Sequence, residues 1–345
     1  MLSAPVSAYG ETQDMDLANP QALLEDIAPG KVIPSDSNTQ VDRRADSAEA
    51  STARMQDGEG PSIDVRSSDF GRSTVVSLDA SLAFAKRTGD FDVYLSADKK
   101  MGTYTKPSIA GAQIIFAIGS ADHLGDLKVQ LPIVSAKPAQ RNGLMLTLTD
   151  DSKIYVMAPW ARDAIGKDLA THYEVDGDTL VQRIDTTGHL TYPILADPAW
   201  TYVNDYGIGT TTPGVASAIM HGCFSCYFPV PGAPSRFPTV GTDLPLMVGP
   251  WSFHCTFGQE ATGHMPGYPT WAFEFEAASG HVDGLGSYIS FGFFKNDGES
   301  TYTLEVFGYI VNDNPTGVGR PAYLLGASAE WAIFASNMSN ISIVT

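Results

Sequence analysis

The stretch Trp271-Ala272-Phe273-Glu274-Phe275-Glu276 alternates aromatic side chains with small or acidic ones. Because successive side chains of a β-strand point to opposite faces of a sheet, this order places the three aromatic rings on one face and the alanine and both glutamates on the other. The aromatic face must be buried, since aromatic side chains carry much of the burial in a β core. The stretch therefore predicts a strand in a β-rich unit with an aromatic core.

The rest of residues 201–345 supports the same prediction. This part of the chain holds 23 of the 35 aromatic residues, with 3 basic residues against 11 acidic ones. Strands are predicted here at Trp251–Phe257, Thr270–Glu276, Tyr288–Phe294, Thr301–Val311 and Trp331–Phe334. We therefore expect residues 201–345 to form an aromatic-rich C-terminal β domain.

Residues 71–200 carry the pattern of another β-rich domain. Gln113–Ile118 contains a continuous apolar run that suits a strand covered on both faces. Further strands, separated by turn signals, are predicted at Leu127–Leu131, Leu144–Leu148, Lys153–Met157, His172–Val175 and Leu180–Ile184. Regularly spaced short strands favour a sandwich or barrel. We predict an all-β fold with two β-sandwich-like domains that meet after Asp197-Pro198.

Residues 1–70 differ in composition from the rest, with 13 acidic residues, 5 basic residues and two aromatic ones. So little apolar surface predicts a largely disordered acidic leader. A short helix is expected around Pro20–Ala28, with Asn19 as its N-cap. Val6-Ser7-Ala8 fits the end of a signal peptide whose basic start is missing, which predicts a secreted protein; an ordinary disordered N-terminus is the alternative.

Four linked motifs extend through the second part of the first β-rich domain. They are Ala158-Pro159-Trp160-Ala161, Thr171-His172-Tyr173-Glu174-Val175, Thr179-Leu180-Val181-Gln182 and Tyr192-Pro193-Ile194-Leu195-Ala196-Asp197-Pro198. With them, residues 73–200 resemble a module of uncharacterised secreted proteins of actinobacteria, in which a β-rich domain precedes a variable C-terminal region. The resemblance implies export from a Gram-positive cell and this architecture, and it implies no catalytic residue.

Charge and motif content exclude several classes of function. The formal net charge is -18, which argues against nucleic acid as a partner because phosphate binding depends on clustered cations. No run approaches the ~18 apolar residues of a membrane span. The chain has neither a P-loop nor a dinucleotide-binding fingerprint, so no cofactor is expected.

The three cysteines are Cys223, Cys226 and Cys255. In an exported chain the simplest interpretation is a disulfide from Cys255 to Cys223 or Cys226, which would close a Pro- and Gly-rich loop of about 30 residues. A zinc site, a redox-active CxxC motif and unpaired thiols are the alternatives. Because no second pair has the spacing of metal ligands, no metal site is predicted.

The sharpest polar cluster is His281-Val282-Asp283-Gly284. An imidazole and a carboxylate two residues apart, with Glu274 and Glu276 on the preceding strand, are candidates for a general base or a pair of catalytic acids. In the alternative interpretation, His281 and Asp283 only hydrogen-bond the backbone of the glycine-rich turn that leads into the next strand. Trp251, Trp271, Tyr268, Tyr288 and Trp331 are candidates for a sugar-stacking platform or, alternatively, for the core.

Two functions follow as hypotheses. Abundant aromatics without a constellation of catalytic spacing favour a non-catalytic extracellular binding or surface-interaction protein, with a polysaccharide or a protein as its partner. The variable C-terminal region of the resembling proteins motivates the alternative, a secreted hydrolase or antibacterial toxin whose activity lies in residues 201–345.

Overall fold

A computed structural model describes residues 16–33, 35, 39–43, 60–67, 71–108, 111–125, 127–265, 268–295, 298–311 and 319–342. Strands make up 47% of the chain and helices 14%, in three antiparallel sheets. The prediction of an all-β fold is confirmed.

The elements are numbered here in chain order. The N-terminal part contains helix α1 (Pro20–Ile27) and strands β1 (Thr39–Arg43), β2 (Ser62–Ser67), β3 (Arg72–Ser77), β4 (Leu82–Thr88), β5 (Phe91–Ser96), β6 (Met101–Ser108), β7 (Gly111–Ile118), β8 (Lys128–Gln130), β9 (Ile133–Pro138), β10 (Leu144–Leu148), β11 (Lys153–Val156), β12 (Trp160–Arg162), β13 (Thr171–Asp176), β14 (Thr179–Ile184), β15 (Ile194–Asp197) and β16 (Ala199–Tyr202). The C-terminal part contains β17 (Asn204–Gly207), α2 (Pro213–Gly222), α3 (Phe224–Tyr227), β18 (Asp243–Val248), β19 (Trp251–Met265), β20 (Tyr268–Ala277), β21 (Tyr288–Phe294), β22 (Thr303–Tyr309) and α4 (Gly319–Asn337). Short 3-10 turns lie at Ala121–His123 and Gln140–Asn142.

The first two sheets form a sandwich. The six-stranded sheet runs in the order β1-β2-β3-β8-β14-β13, and the ten-stranded sheet runs β4-β5-β6-β7-β16-β11-β10-β9, with β12 and β15 attached beside β7. One core joins them, with Val65 and Leu180 from the first sheet and Ile114, Phe116 and Ile154 from the second. All eight residues of β7 are buried, as its apolar run predicts.

The third sheet has the order β17-β22-β21-β20-β19-β18. Its aromatic face packs against helices, so no second sheet covers it within the described residues. Trp331 and Phe334 of α4, and Met338 just after it, pack in the same core as Phe273 and Phe291. The strand predicted at Trp331–Phe334 is therefore wrong, because a short apolar run does not distinguish a strand from a helix that buries every third or fourth residue.

The second face of the third sheet contacts the ten-stranded sheet. Tyr155 of β11 stacks on Phe307 of β22 with ring centroids 4.2 Å apart. Lys153 of β11 binds Asp205 at 2.8 Å and Glu305 at 3.0 Å. Sheet membership changes between Tyr202, in β16, and Asn204, in β17, so the two parts of the chain meet directly where the strand path passes from one to the other.

Three elements of residues 1–70 are folded, where we expected a leader. The helix predicted with Asn19 as N-cap is present, since the Asn19 side chain accepts from the backbone N–H of Ala22. Helix α1 buries its apolar stripe against the ten-stranded sheet, and strands β1 and β2 extend the six-stranded sheet. The motif Val6-Ser7-Ala8 lies outside the described residues.

Candidate functional site

A cavity of about 120 Å³ lies where the aromatic face of the third sheet, helix α4 and the junction between β16 and β17 meet. Apolar side chains form most of its wall; they include Val230, Leu246, Phe253, Phe275, Ile289 and Trp331. Polar or polarisable side chains also line it, among them Cys255, His281, Asp283 and Ser287. The cavity therefore combines apolar walls with a cluster of groups that carry chemistry.

The turn between β20 and β21 positions His281 and Asp283. The backbone N–H of Asp283 donates to His281 Nδ1 at 2.9 Å, and the Ser287 hydroxyl donates to the carbonyl oxygen of Asp283 at 2.7 Å. Ser287 also accepts from the backbone N–H of Val311 at 2.9 Å. These are the bonds expected from the interpretation in which the cluster organises a glycine-rich turn.

The protonation states at the cavity follow from its burial. Burial, with a smaller contribution from nearby His254, lowers the pKa of His281 to about 4, so the imidazole is neutral at pH 7. Since Nδ1 accepts a hydrogen bond, the single ring proton belongs on Nε2. Burial and the charge of Asp283 raise the pKa of the Cys255 thiol to about 12. Cys255 is thus a thiol, whereas a nucleophilic cysteine acts as the thiolate.

Glu274 and Glu276 do not join this cluster. They lie on the opposite face of β20, where Arg141 binds them both, with Arg141 Nε 2.8 Å from Glu274 Oε2. Gln259 donates to the other oxygen of Glu274 at 2.9 Å. The four candidate residues therefore form two separate groups, the His281–Asp283 turn at the cavity and a glutamate pair bound by one arginine.

Arg141 is the functional partner that sequence reasoning missed. The segment Arg141-Asn142-Gly143 is a turn signal, and the structure places Arg141 in a turn with a φ of 53°. Its guanidinium lies 4.2 Å from the ring centroid of Tyr288 as well as on the two glutamates. One signal in the sequence could have indicated such a partner. Residues 201–345 contain few basic residues, so a buried glutamate there must pair with a cation from another part of the chain.

The aromatic candidates belong mainly to the core. Trp271 and Trp331 are buried, and Trp251 packs half-buried against the same cluster. The Tyr288 hydroxyl donates to the Tyr155 hydroxyl at 3.2 Å, in the contact between the two parts of the chain. The side chain of Tyr268 lies outside what the structure describes. The described members therefore do not line up as an exposed platform for sugar rings.

A serine, a histidine and an acid also meet on the surface beside helix α2. Ser217 Oγ lies 3.4 Å from His221 Nδ1, and His221 Nε2 lies 3.4 Å from Glu260 Oε2. However, His221 Nδ1 is 2.8 Å from the carbonyl oxygen of Ser217, to which its N–H donates. A nitrogen used as a donor in this way cannot take the hydroxyl proton, so this row lacks the serine–base contact of a hydrolase.

Comparisons with protein-family models, curated proteins and solved structures found no significant match. Within the described residues, no group of three His, Cys, Asp or Glu side chains is arranged to hold a metal ion. None of the helices in the same part of the chain is long and apolar enough to cross a membrane.

The predicted pairing of Cys255 is wrong. The disulfide joins Cys223 and Cys226, whose Cα atoms are 5.3 Å apart where α2 ends and α3 begins. Cys255 is a free thiol buried in β19, where it faces the cavity. Closing the longer loop would remove more entropy from the unfolded chain. However, the turn between the helices brings Cys223 and Cys226 together, while the sheet holds Cys255 inside the core.

Replacing both Cys223 and Cys226 with serine is expected to lower the free energy of unfolding by about 2 kcal/mol, because the bridge closes only a short loop of the unfolded chain. Urea denaturation of the oxidised proteins measures this difference. A reductant should reproduce the loss in the wild-type protein and leave the double-serine variant unchanged. A loss below about 0.5 kcal/mol would contradict the prediction.

Proposed function

We propose that this chain is a non-catalytic extracellular binding protein and that its third sheet holds a small, largely apolar ligand in the cavity beneath helix α4. The observation that carries the proposal is the cavity itself, with apolar walls and the His281–Asp283 turn in its lining. Binding sites for small molecules combine mostly apolar walls with a few placed polar groups in this way.

The states of the polar groups favour binding over turnover. His281 is neutral, and its Nδ1 is committed to the turn. The thiol of Cys255 is protonated, and the glutamate pair is bound by Arg141 on the other face of the sheet. The alternative, an exported hydrolase or antibacterial toxin, needs an activated nucleophile or a free base, which these contacts do not supply.

The size of the cavity indicates the ligand class. An apolar cavity of about 150 Å³ is known to bind benzene, so about 120 Å³ suits a single small ring or a short branched chain. The Nε2–H of His281 is a donor that a hydroxyl or carbonyl oxygen of the ligand would satisfy. This chemistry supports a small ligand with one polar group better than a polysaccharide.

The location is part of the proposal. A disulfide between Cys223 and Cys226 is compatible with an oxidising, extracellular compartment. The net charge of -18 supports a partner other than nucleic acid.

Calorimetric titration of the full chain with p-cresol and toluene tests the proposal. We expect p-cresol to bind with a Kd on the order of 0.1–1 mM and toluene to bind more weakly, because toluene lacks the hydroxyl. Ala327→Phe, at a half-buried position that lines the cavity, should weaken p-cresol at least tenfold. Ala329→Phe, exposed on the same helix, is the matched control and should bind as the wild-type protein does. The proposal fails if neither compound binds, or if both variants bind equally well.

A further inference from the structure

The segment 16–33, called the strap here, covers the outer face of the ten-stranded sheet. It consists of a short turn, helix α1 and an extended end. Leu23, Leu24 and Ile27 are buried by 96% or more of their surface. They pack in a cluster with Val93, Tyr104, Ile115, Ala117 and Leu195 of the sheet, separate from the core inside the sandwich.

Side chains of the sheet hold the strap by its backbone. Gln113 is bidentate, since its Oε1 accepts from the N–H of Ile33 at 3.0 Å and its Nε2 donates to the carbonyl of Lys31 at 2.9 Å. The hydroxyl of Tyr104 donates to the carbonyl of Leu17 at 2.7 Å. The ammonium of Lys106 donates to the carbonyl of Ile33.

These three side chains all bind main-chain groups, which any peptide carries. With the strap docked, Gln113, Tyr104 and Lys106 are all at least 97% buried, and the strap supplies a hydrogen-bond partner to each of them. A side-chain amide that binds one carbonyl and one N–H of the same segment recognises the geometry of its main chain. The apolar pockets beside it then select the residues that fill them.

The strap is attached in a way that permits exchange. Among the described residues, the backbone–backbone hydrogen bonds of residues 16–33 all stay within the strap, and no sheet ladder includes it. Undocking therefore breaks side-chain contacts and leaves every ladder of the sheets intact. The same sequence in another copy of the chain presents the same contacts, which is the basis of domain swapping.

We propose that the outer face of the ten-stranded sheet is a peptide-binding site and that its partner in trans is the strap of a second copy of this chain. In a single copy the linked strap has the advantage of a high effective concentration, so its own strap fills the site. A copy whose strap is undocked accepts the strap of a neighbour, and the two chains are then joined through this face.

A titration of the full chain with a fluorescein-labelled peptide of residues 15–34 tests the proposal. In the acceptor variant, Leu24→Asp with Ile27→Asp removes the apolar contacts of the linked strap while the face stays intact. We expect saturable 1:1 binding of the peptide to this variant by fluorescence anisotropy, and at least tenfold weaker binding to the wild-type chain. Adding Gln113→Ala to the acceptor variant should weaken the peptide at least tenfold. Gln130→Ala, at an exposed glutamine of the other sheet, is the matched control and should have no effect.

Circular dichroism decides the case in which the acceptor variant loses its fold, and Leu24→Ala with Ile27→Ala serves as a milder second variant. If either variant is unfolded alone and the peptide restores its β spectrum, the proposal is supported. The proposal is overturned if the variants are folded and bind no peptide, if they are unfolded and the peptide does not restore them, or if Gln113→Ala and Gln130→Ala bind the peptide equally.

Discussion

Replacing Arg141 with alanine is expected to lower the free energy of unfolding by about 3 kcal/mol. Glu274 is fully buried, and Arg141 is its cationic partner, so the substitution leaves a carboxylate inside the protein with the amide of Gln259 as its remaining side-chain partner among the described residues. Alanine and arginine bear a similar backbone penalty at a φ of 53°, so the comparison isolates the loss of the guanidinium. Urea denaturation at pH 7 measures the effect.

Two further variants test the cause of this loss. Glu274→Gln in the Arg141→Ala background should recover part of the stability, because it removes the uncompensated charge. Arg183→Ala breaks an exposed pair with Glu174 and should change the free energy of unfolding by less than about 1 kcal/mol. If Arg141→Ala lowers the free energy of unfolding no more than Arg183→Ala does, the buried pair of Arg141 and Glu274 does not stabilise the contact between the two parts of the chain.

The second large effect is a dependence of stability on pH through Asp197. Its side chain is buried in β15 and accepts from Gln113 Nε2 at 2.8 Å. Burial raises the pKa of this carboxyl to about 7, although the donors Gln113 and Trp160 and the charge of Lys31 oppose the rise. An unfolded aspartate titrates near pH 3.9, so between about pH 4 and pH 7 the folded state binds more protons than the unfolded state. The contribution of Asp197 to stability is therefore present at low pH and is lost as the pH rises through 7.

The variant Asp197→Asn isolates this contribution, since the other titrating groups are common to both proteins. Between pH 4.5 and pH 8 the free energy of unfolding of Asp197→Asn should rise relative to that of the wild-type chain by about 3 kcal/mol. Denaturation curves of both proteins across this range supply the measurement. A difference that stays constant within about 0.5 kcal/mol would show that Asp197 is ionised in the folded state throughout.

Most of the strands could be predicted from local patterns in the sequence. The predicted bounds Leu144–Leu148 and Tyr288–Phe294 are those of β10 and β21, because period two and apolar runs are local properties of a strand. Helix α2 and strand β18 were not predicted, since a short helix rich in small residues and an edge strand that contains proline leave weak local patterns.

The candidate site was predictable only in part. His281 and Asp283 do line the cavity with Cys255, and Ser287 of the same turn bonds to Asp283. The bond from Val311 to Ser287 is not local, because Val311 follows β22. Arg141 is separated from Glu274 by 133 residues, so no local pattern links them. Contacts of this kind are set by how the sheets pack, which a single sequence does not display.

The ionic contacts that the described residues make between the two parts of the chain share one polarity. Arg141 and Lys153 come from the N-terminal sandwich, whereas the carboxylates of Glu274, Glu276, Asp205 and Glu305 come from the third sheet. The sandwich thus presents two cationic side chains to the unit that packs against it. We expect another C-terminal unit fused to the sandwich to adopt the same orientation only if it has acidic side chains at matching positions. A unit with neutral residues at those positions is expected to have no fixed orientation relative to the sandwich.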